Sequence, residues 1–236
     1  MQPAPPAIVQ PAPPATVSPA PLAGAWVATP RPWSQKAWLT LHEAFVARAQ
    51  AGPIDVLFLG DSISAHFPTG GAEIWQREIE PLGNVADFAI DGDRTQFLLW
   101  RAQNGELDGT NARVVVLMIG TNNLATSTPE NVARGVAAIV ETVRRKLPGA
   151  VVVLNAILPR GPVDGPARAA AADTNALIHA LADGTHVRWL DAGAGYLDPA
   201  GNIDLTLMPD RLHPSATGYG IWAAALRPVL LDVLGK

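Results

Sequence analysis

From Trp33 to its end, the chain alternates short runs of branched apolar residues with longer helical stretches. An unbroken apolar run is typical of a strand buried on both faces, and its alternation with helices indicates a parallel sheet covered on both sides. Five such runs predict an α/β, flavodoxin-like three-layer sandwich with a five-stranded parallel sheet, whose ligand site lies beyond the carboxyl ends of the strands. The predicted strands are Val56–Leu59, Val85–Ile90, Val114–Ile119, Val151–Ile157 and Val187–Leu190.

Two predicted helices show where their buried faces lie. Residues 129–147 carry apolar side chains on one face and charged side chains on the other, and Thr128 is the predicted N-cap. In the last helix, the predicted buried stripe consists of Trp222, Ala225, Leu226, Val229 and Val233.

Composition excludes several classes of protein. Charged residues make up 16% of the 236 residues, and the net charge of -4 provides no basic excess for binding nucleic acid. The chain has no cysteine, which excludes disulfides, thiolate metal sites and cysteine nucleophiles. No apolar run reaches the roughly 18 residues of a membrane-spanning helix.

The first 32 residues differ from the rest, since they hold 10 of the 22 prolines and a single charged side chain. Proline fixes φ and lacks a backbone donor, so residues 1–32 are predicted to be an extended Pro/Ala-rich tail or spacer before one domain at 33–236. The tail is not itself a signal peptide, but its composition is typical of the segment after a removed one. We therefore expect a secreted or periplasmic protein, with a natural cytoplasmic tail as the alternative.

Glycines and polar residues follow three predicted strands and precede the last helix. Because the carboxyl ends of parallel strands share one edge of the sheet, we expect these segments to meet there. They are Gly60-Asp61-Ser62, Asp91-Gly92-Asp93, Gly120-Thr121-Asn122 and Asp210-Arg211-Leu212-His213.

Ser62 and His213 are the candidate nucleophile and base. A serine hydroxyl needs a base to take its proton, and Asp210 lies three residues before His213, where it can reach the ring Nδ1 and orient it. Each feature has an ordinary alternative, because Asp-Ser after a strand is typical of a helix cap and an Asp–His pair can be a surface contact. The sequence lacks the G-x-S-x-G elbow of α/β-hydrolases, since Ser64 stands at its last position.

Attack on an ester carbonyl produces an oxyanion that needs fixed donors about 3 Å away. The candidate donors are the backbone N–H groups of Ser62 and Gly92 and the side-chain amide of Asn122, although glycine and asparagine also serve simply to shape turns. No metal and no cofactor is predicted, because no two histidines have ligand spacing. Three aspartates near Gly92 are better explained by an Asp-Gly turn than by a magnesium site.

Four further histidines, His42, His66, His179 and His186, have no obvious partner in the sequence. We expect each of them to be structural or solvated.

Taken together, these blocks resemble those of the SGNH (GDSL) hydrolases, and in particular the catalytic subunits of brain-type platelet-activating-factor acetylhydrolases and their bacterial relatives. The resemblance runs from about Trp38 to the last helix and does not include the tail. The similar stretches are Glu73-Ile74-Trp75, Gly92-Asp93, Leu99-Trp100-Arg101, Asn104-Gly105-Glu106-Leu107, Gly120-Thr121-Asn122-Asn123 and Leu158-Pro159-Arg160-Gly161.

The resemblance implies the SGNH fold, with Ser62 as nucleophile, His213 as base and Asp210 as its orienting acid. It also implies an oxyanion hole made by Ser62, Gly92 and Asn122.

The resemblance further concerns the acyl group. Ile63, Thr121 and Leu212 match positions that line a tight acyl pocket in the close relatives, which implies short acyl groups.

The chain departs from the family pattern in the second block. Relatives usually read Asn-x-Gly-x-Gly-Gly there, whereas residues 87–92 read Asp-Phe-Ala-Ile-Asp-Gly. Asp91 would then place a negative charge near the oxyanion unless its side chain turns away.

The expected activity is that of a cofactor-free serine esterase for acetyl-type esters, acting through an acyl-enzyme on a small-molecule or carbohydrate ester. The alternatives are a lysophospholipase or thioesterase, an acyltransferase of the same fold, and a catalytically silent binding subunit. The relatives form dimers through this domain, so the resemblance also implies a homodimer.

Overall fold

The computed structural model describes residues 24–236, so residues 1–23 of the predicted tail lie outside the described residues. The segment from Gly24 to Pro32 lies on the domain. Ala25 is buried, and its backbone oxygen accepts a hydrogen bond from the Thr95 hydroxyl at 2.7 Å. The guanidinium of Arg134 lies 3.8 Å from the centre of the Trp26 ring. The packed part of the chain therefore begins before Trp33.

Five strands and eight helices carry the fold within these residues. The strands are β1 (Val56–Gly60), β2 (Val85–Asp87), β3 (Val114–Met118), β4 (Val151–Asn155) and β5 (Val187–Leu190). The helices are α1 (Gln35–Gln50), α2 (Ser62–Ala65), α3 (Phe67–Gly70), α4 (Ala72–Ile74), α5 (Thr95–Arg101), α6 (Pro129–Lys146), α7 (Pro166–His179) and α8 (Ala216–Leu234). Short 3₁₀ turns occur at Glu80–Leu82, Thr121–Asn123 and Gly193–Tyr196, and π-helical turns at Trp75–Ile79 and Ala102–Glu106.

The sheet is parallel throughout, with the strand order β2-β1-β3-β4-β5. This is the flavodoxin-like order, so the predicted fold class is confirmed. Strand β2 ends at Asp87 rather than at the predicted Ile90. The Asp87 side chain accepts a hydrogen bond from the Ala89 N–H at 2.9 Å and leads the backbone towards the turn at Gly92.

The core lies on both faces of the sheet because side chains alternate along each strand. Leu57 and Leu59 of β1 face one way and pack with residues of α5, α6 and α7. Val56 and Phe58 face the other way and pack with α8 and with aromatic side chains that follow α2. The predicted N-cap of α6 is confirmed, since the Thr128 hydroxyl accepts a hydrogen bond from the Asn131 N–H.

Helix α8 buries a different stripe from the one predicted. Trp222 and Leu226 are buried as predicted, whereas Ala225, Val229 and Val233 are only half-buried. The fully buried row continues instead at four-residue spacing, because this row lies directly over the sheet. That row is Trp222, Leu226, Leu230 and Leu234. Within residues 24–236, no helix has the length and apolar character needed to cross a bilayer.

Candidate active site

The turn between β1 and α2 presents Ser62 at the carboxyl edge of the sheet. A Cβ atom on Gly60 would lie 2.6 Å from the backbone oxygen of Met118, so the turn requires glycine there. Asp61 caps α2 by accepting a hydrogen bond from the Ile63 N–H at 3.0 Å. Burial raises the pKa of Asp61 to about 7 against the effect of this bond. Asp61 therefore shapes the turn, while Ser62 begins the helix with its hydroxyl directed to the site.

The Ser62 hydroxyl and the His213 ring are in direct contact, with Oγ 2.9 Å from Nε2. On the other side of the ring, Nδ1 lies 2.6 Å from Oδ2 of Asp210. Ser62 lies in the turn after β1, and Asp210 and His213 lie in the loop before α8. Ser62 and His213 are 151 residues apart in the sequence. The structure thus brings together the three residues predicted as nucleophile, base and orienting acid.

The loop before α8 holds Asp210 in place through its own backbone. The Asp210 Oδ1 accepts hydrogen bonds from the N–H groups of Leu212 at 3.0 Å and His213 at 2.7 Å. Burial alone would raise the pKa of Asp210, but these bonds and the contact with the His213 ring outweigh it and keep the pKa below its usual range. Arg211 has a left-handed φ of 58°, which bends the loop into this geometry.

The three predicted oxyanion donors lie on neighbouring strand ends. Gly92 has φ 72°, a left-handed conformation that favours glycine. The Asn122 side chain donates to the backbone oxygen of Asp93 at 2.9 Å, which joins the strand ends of β2 and β3. Within the described residues, the backbone N–H groups of Ser62 and Gly92 donate to no protein acceptor. Both N–H groups remain available for a ligand.

A buried ion cluster that the sequence analysis did not identify supports this turn. Arg101 donates to Oδ2 of Asp93 at 2.8 Å, and it also contacts Glu106, with all three side chains fully buried. Trp38 donates to the other Asp93 oxygen at 2.8 Å, and His42 contacts Glu106 at 2.9 Å. These contacts fix the residue that follows Gly92. Asp93 and Arg101 lie on either side of the apolar run at 97–100, and these charges were the available sequence signal.

Each predicted acyl-pocket residue is next in sequence to a predicted site residue, with Ile63 after Ser62, Thr121 before Asn122 and Leu212 before His213. Ile63 is 1% exposed and Thr121 is 3% exposed, and Leu212 is half-buried. Arg160, which follows β4, donates to both the backbone oxygen and the hydroxyl of Thr121, at 2.7 and 3.1 Å. The Tyr219 hydroxyl of α8 donates to the backbone oxygen of Ile63 at 2.9 Å. Arg160 and Tyr219 therefore position this side of the site, although sequence reasoning gave neither a role.

The carboxylate of Asp91 is paired with a histidine. Its Oδ2 lies 2.9 Å from Nε2 of His66, a partner that the sequence did not indicate. His42 likewise contacts Glu106, and the ring of His186 lies 3.5 Å from Asp183. These partners come from other segments or from a loop, so no helical periodicity indicated them.

The three aspartates near Gly92 have different partners. Asp87 accepts from Ala89, Asp91 contacts His66, and Asp93 is held by Trp38 and Arg101. Across residues 24–236, no three His, Asp or Glu side chains converge in a way that could hold a metal ion.

The sequence and the fold both match known hydrolases. Residues 58–221 match the GDSL-like lipase/acylhydrolase family. The chain is 38% identical over 200 residues to the platelet-activating factor acetylhydrolase IB subunit alpha1 of Homo sapiens, covering 84% of this chain and 85% of that protein. It is 34% identical over 198 residues to the alpha2 subunit of Bos taurus, covering 84% and 85%.

Two solved structures show the same fold at low sequence identity. A GDSL-like lipase from Bacteroides thetaiotaomicron has a TM-score of 0.66 at 18% identity and covers 84% of this chain and 97% of its own. An acetylxylan esterase from Geobacillus stearothermophilus has a TM-score of 0.60 at 20% identity and covers 79% and 97%. The predicted family is therefore confirmed, and this chain is a hydrolase that belongs to the GDSL-like lipase/acylhydrolase family.

Proposed function

We propose that the chain is a serine esterase that hydrolyses acetyl-type esters through an acyl-enzyme, without a cofactor. The observation that supports this most strongly is the unbroken chain of contacts from the Ser62 hydroxyl through the His213 ring to Asp210. A base in contact with the hydroxyl and a carboxylate in contact with the base are what nucleophilic attack by serine requires.

In the first step, Ser62 Oγ attacks the ester carbonyl carbon while His213 Nε2 takes the hydroxyl proton. Asp210 holds the ring in the tautomer that leaves Nε2 free, and it stabilises the imidazolium that forms. The oxyanion receives hydrogen bonds from the N–H groups of Ser62 and Gly92 and from the Asn122 amide. The imidazolium then protonates the leaving alcohol, and the C–O bond breaks.

In the second step, His213 takes a proton from water as the water oxygen attacks the acyl-enzyme carbonyl. The same donors stabilise the second oxyanion, and the imidazolium returns its proton to Ser62 Oγ as the acid leaves. Every proton in the cycle passes through His213 Nε2, so no other acid or base is needed.

The proposed preference for short acyl groups rests on the rigid floor beside Ser62. Ile63 and Thr121 are almost fully buried, and hydrogen bonds from Tyr219 and Arg160 hold their backbones in place. A floor held in this way cannot open for a long chain without breaking these bonds. The names of the human relative and of the acetylxylan esterase both refer to acetyl groups, which agrees with this preference.

We propose a carbohydrate hydroxyl as the leaving alcohol. The likeness to an acetylxylan esterase supports this choice at the level of the fold alone. The polar groups beside His213, described below, support it from this chain's own residues.

The test is hydrolysis of p-nitrophenyl esters from acetate to palmitate, with Ser62→Ala as the control for background hydrolysis. We expect activity to peak at acetate or butyrate and to fall by about 10⁴-fold or more in Ser62→Ala, because the nucleophile is lost. Acetate release from an acetylated xylo-oligosaccharide is the second substrate test.

The other outcomes distinguish the alternatives. A peak at long acyl chains would point to a lysophospholipase or thioesterase. Acetyl groups found on added sugar rather than as free acetate would point to an acyltransferase. A folded protein with no Ser62-dependent activity on any ester would leave a catalytically silent binding subunit.

A further inference from the structure

A second histidine–carboxylate pair lies beside His213. His66 follows α2, Asp91 precedes Gly92, and the His66 Nε2 lies 2.9 Å from Asp91 Oδ2. The His66 side chain is 44% exposed and the Asp91 side chain 62% exposed. Neither residue takes part in the proposed proton transfers. The pair is therefore polar, accessible and without a function in the chemistry derived above.

The position of the pair relates it to the leaving alcohol. The ring centres of His66 and His213 are 5.6 Å apart, with an angle of 38° between the rings. On the proposed function, His213 Nε2 protonates the alcohol oxygen, so that oxygen lies within hydrogen-bond distance of His213. The His66 ring is therefore close enough to contact the carbon frame attached to that oxygen.

The hydrogen-bonding capacity of the pair suits hydroxyl groups. With Nε2 of His66 donating to Asp91, Nδ1 of the ring is an acceptor, and Oδ1 of Asp91 is another. Among the described residues, neither atom has a partner. A hydroxyl group can donate to each of them. A phosphate would be repelled by the Asp91 carboxylate.

A cavity adjoins the pair at Asp91. It has a volume of 360 Å³ and is lined in part by Ala65 and Asp91, by Arg31 of the N-terminal segment, and by Trp38 and Leu41 of α1. Arg31 donates to the backbone oxygen of Asp91 at 2.7 Å, which fixes the wall nearest the pair. This volume is in the range of pockets that hold small organic ligands.

Backbone contacts also hold His66 itself in position. Its carbonyl oxygen accepts hydrogen bonds from the N–H groups of Thr69 at 3.2 Å and Gly70 at 2.6 Å. The glycines that follow lie against Tyr219 of α8, since a Cβ atom on Gly71 would be 2.7 Å from that side chain. These contacts hold the backbone that carries the His66 ring, while the ring itself is partly exposed to solvent.

We propose that His66 and Asp91 form a subsite for the leaving alcohol, which accepts hydrogen bonds from the hydroxyls of a sugar whose ring extends into the adjoining cavity. The inference rests on the proposed esterase function and names the residues that select its substrate. His66 and Asp91 act on specificity, whereas Ser62, His213 and Asp210 act on the ester bond.

The experiment compares two acetate esters that differ in their hydroxyl groups. Methyl 2-O-acetyl-β-D-xylopyranoside carries free hydroxyls next to the ester, and cyclohexyl acetate has a ring of the same size without them. Acetate release gives kcat/KM for each ester in the wild type and in His66→Leu and Asp91→Asn. The matched control is His186→Leu, which removes a histidine from an exposed histidine–aspartate pair outside the site.

We expect the wild type to prefer the xyloside, and the ratio of the two kcat/KM values to fall about tenfold in each of the two site variants, as the loss of one or two hydrogen bonds predicts. The ratio should be unchanged in His186→Leu. Using two independent variants at half-exposed positions keeps the test valid if one of them folds poorly.

Two outcomes would overturn the subsite. One is a wild type that cleaves cyclohexyl acetate but shows no preference for the xyloside. The other is an unchanged ratio in both variants, including the case in which both esters slow equally, because that pattern indicates an effect on His213. If the wild type cleaves neither these esters nor p-nitrophenyl acetate, the proposed esterase function fails, which is a different result.

Discussion

The side-chain amide of Asn122 donates a hydrogen bond to the backbone oxygen of Asp93 at 2.9 Å. This contact joins the segments after β2 and β3, which supply two of the three proposed oxyanion donors. An asparagine amide has two protons, so the bond to Asp93 uses one and orients the other. A donor that is already oriented stabilises a developing charge without reorganisation, which is the basis of an effective oxyanion hole.

Replacing Asn122 tests this arrangement. We expect Asn122→Ala to lower kcat for p-nitrophenyl acetate by about 10²–10³-fold, the usual effect of removing one oxyanion donor. Asn122→Asp has nearly the same shape but no protons to donate at neutral pH, so its loss should be at least as large. A kcat close to that of the wild type in both variants would exclude Asn122 from the oxyanion hole.

The buried ion cluster predicts a large effect on stability. In Arg101→Met, the buried carboxylates of Asp93 and Glu106 lose the cation that they share, which typically costs about 3–5 kcal/mol. The matched control is Arg188→Met, which breaks an exposed pair with Asp232 and should change stability by no more than about 1 kcal/mol. Urea unfolding measures both. Equal losses in the two variants would show that the cluster contributes no more than a surface pair.

The lowered pKa of Asp210 predicts that its contribution to the free energy of unfolding is lost in acid. Its pKa is lowered in the folded state, so its charge stabilises the fold above the unfolded pKa of 3.8, and this contribution disappears as the pH falls through the folded value. The difference in unfolding free energy between the wild type and Asp210→Asn should therefore be positive at neutral pH and shrink below about pH 4. A difference that stays constant with pH would contradict the lowered pKa. The same variant should lose most of its kcat, because asparagine does not hold the His213 tautomer.

The raised pKa of Asp61 predicts the opposite pH dependence of its contribution to the free energy of unfolding. Its pKa is raised to about 7, so between the unfolded value of 3.8 and this value the folded state holds a proton that the unfolded state releases. The Asp61 contribution to stability therefore falls as the pH rises through this interval. Asp61→Asn keeps an oxygen that can cap α2 and has no charge, so it should gain stability relative to the wild type between about pH 5 and about pH 8.

The control for Asp61 is Asp183→Asn. Backbone N–H groups of Val187 and Thr185 lower the pKa of Asp183, so removing its charge should reduce stability at about pH 8. Urea unfolding at both pH values measures the two variants. If Asp61→Asn shows no change relative to the wild type between the two pH values, Asp61 is not titrating in this range.

Much of the fold could be predicted because its signal is local. All five strands overlap the branched apolar runs that predict them, and the three central strands are almost fully buried, as such runs indicate. The end of β2 and the buried stripe of α8 could not be predicted in the same way. The first depends on the Asp87 side chain bonding to Ala89, and the second on which row of α8 lies over the sheet.

The candidate site also contains some features that the sequence predicts and others that it does not. The positions of Ser62, Gly92 and Asn122 follow from the rule that parallel strands end at one edge, so their meeting was predictable once the strands were found. The roles of Arg160 and Tyr219 were not, because each contacts a backbone atom of a distant residue. Sequence patterns describe side-chain types at given spacings and contain no information on such contacts.

The sequence alone was sufficient to predict the fold class and to single out Ser62, Asp210 and His213, because periodic burial and short-range spacing are properties of the chain itself. The partners of its charged groups depended on the folded state. Asp91 pairs with His66, and Asp93 pairs with Arg101. A carboxylate contacts whichever cation or donor the fold brings within about 3 Å, and that distance arises only when segments far apart in sequence pack together.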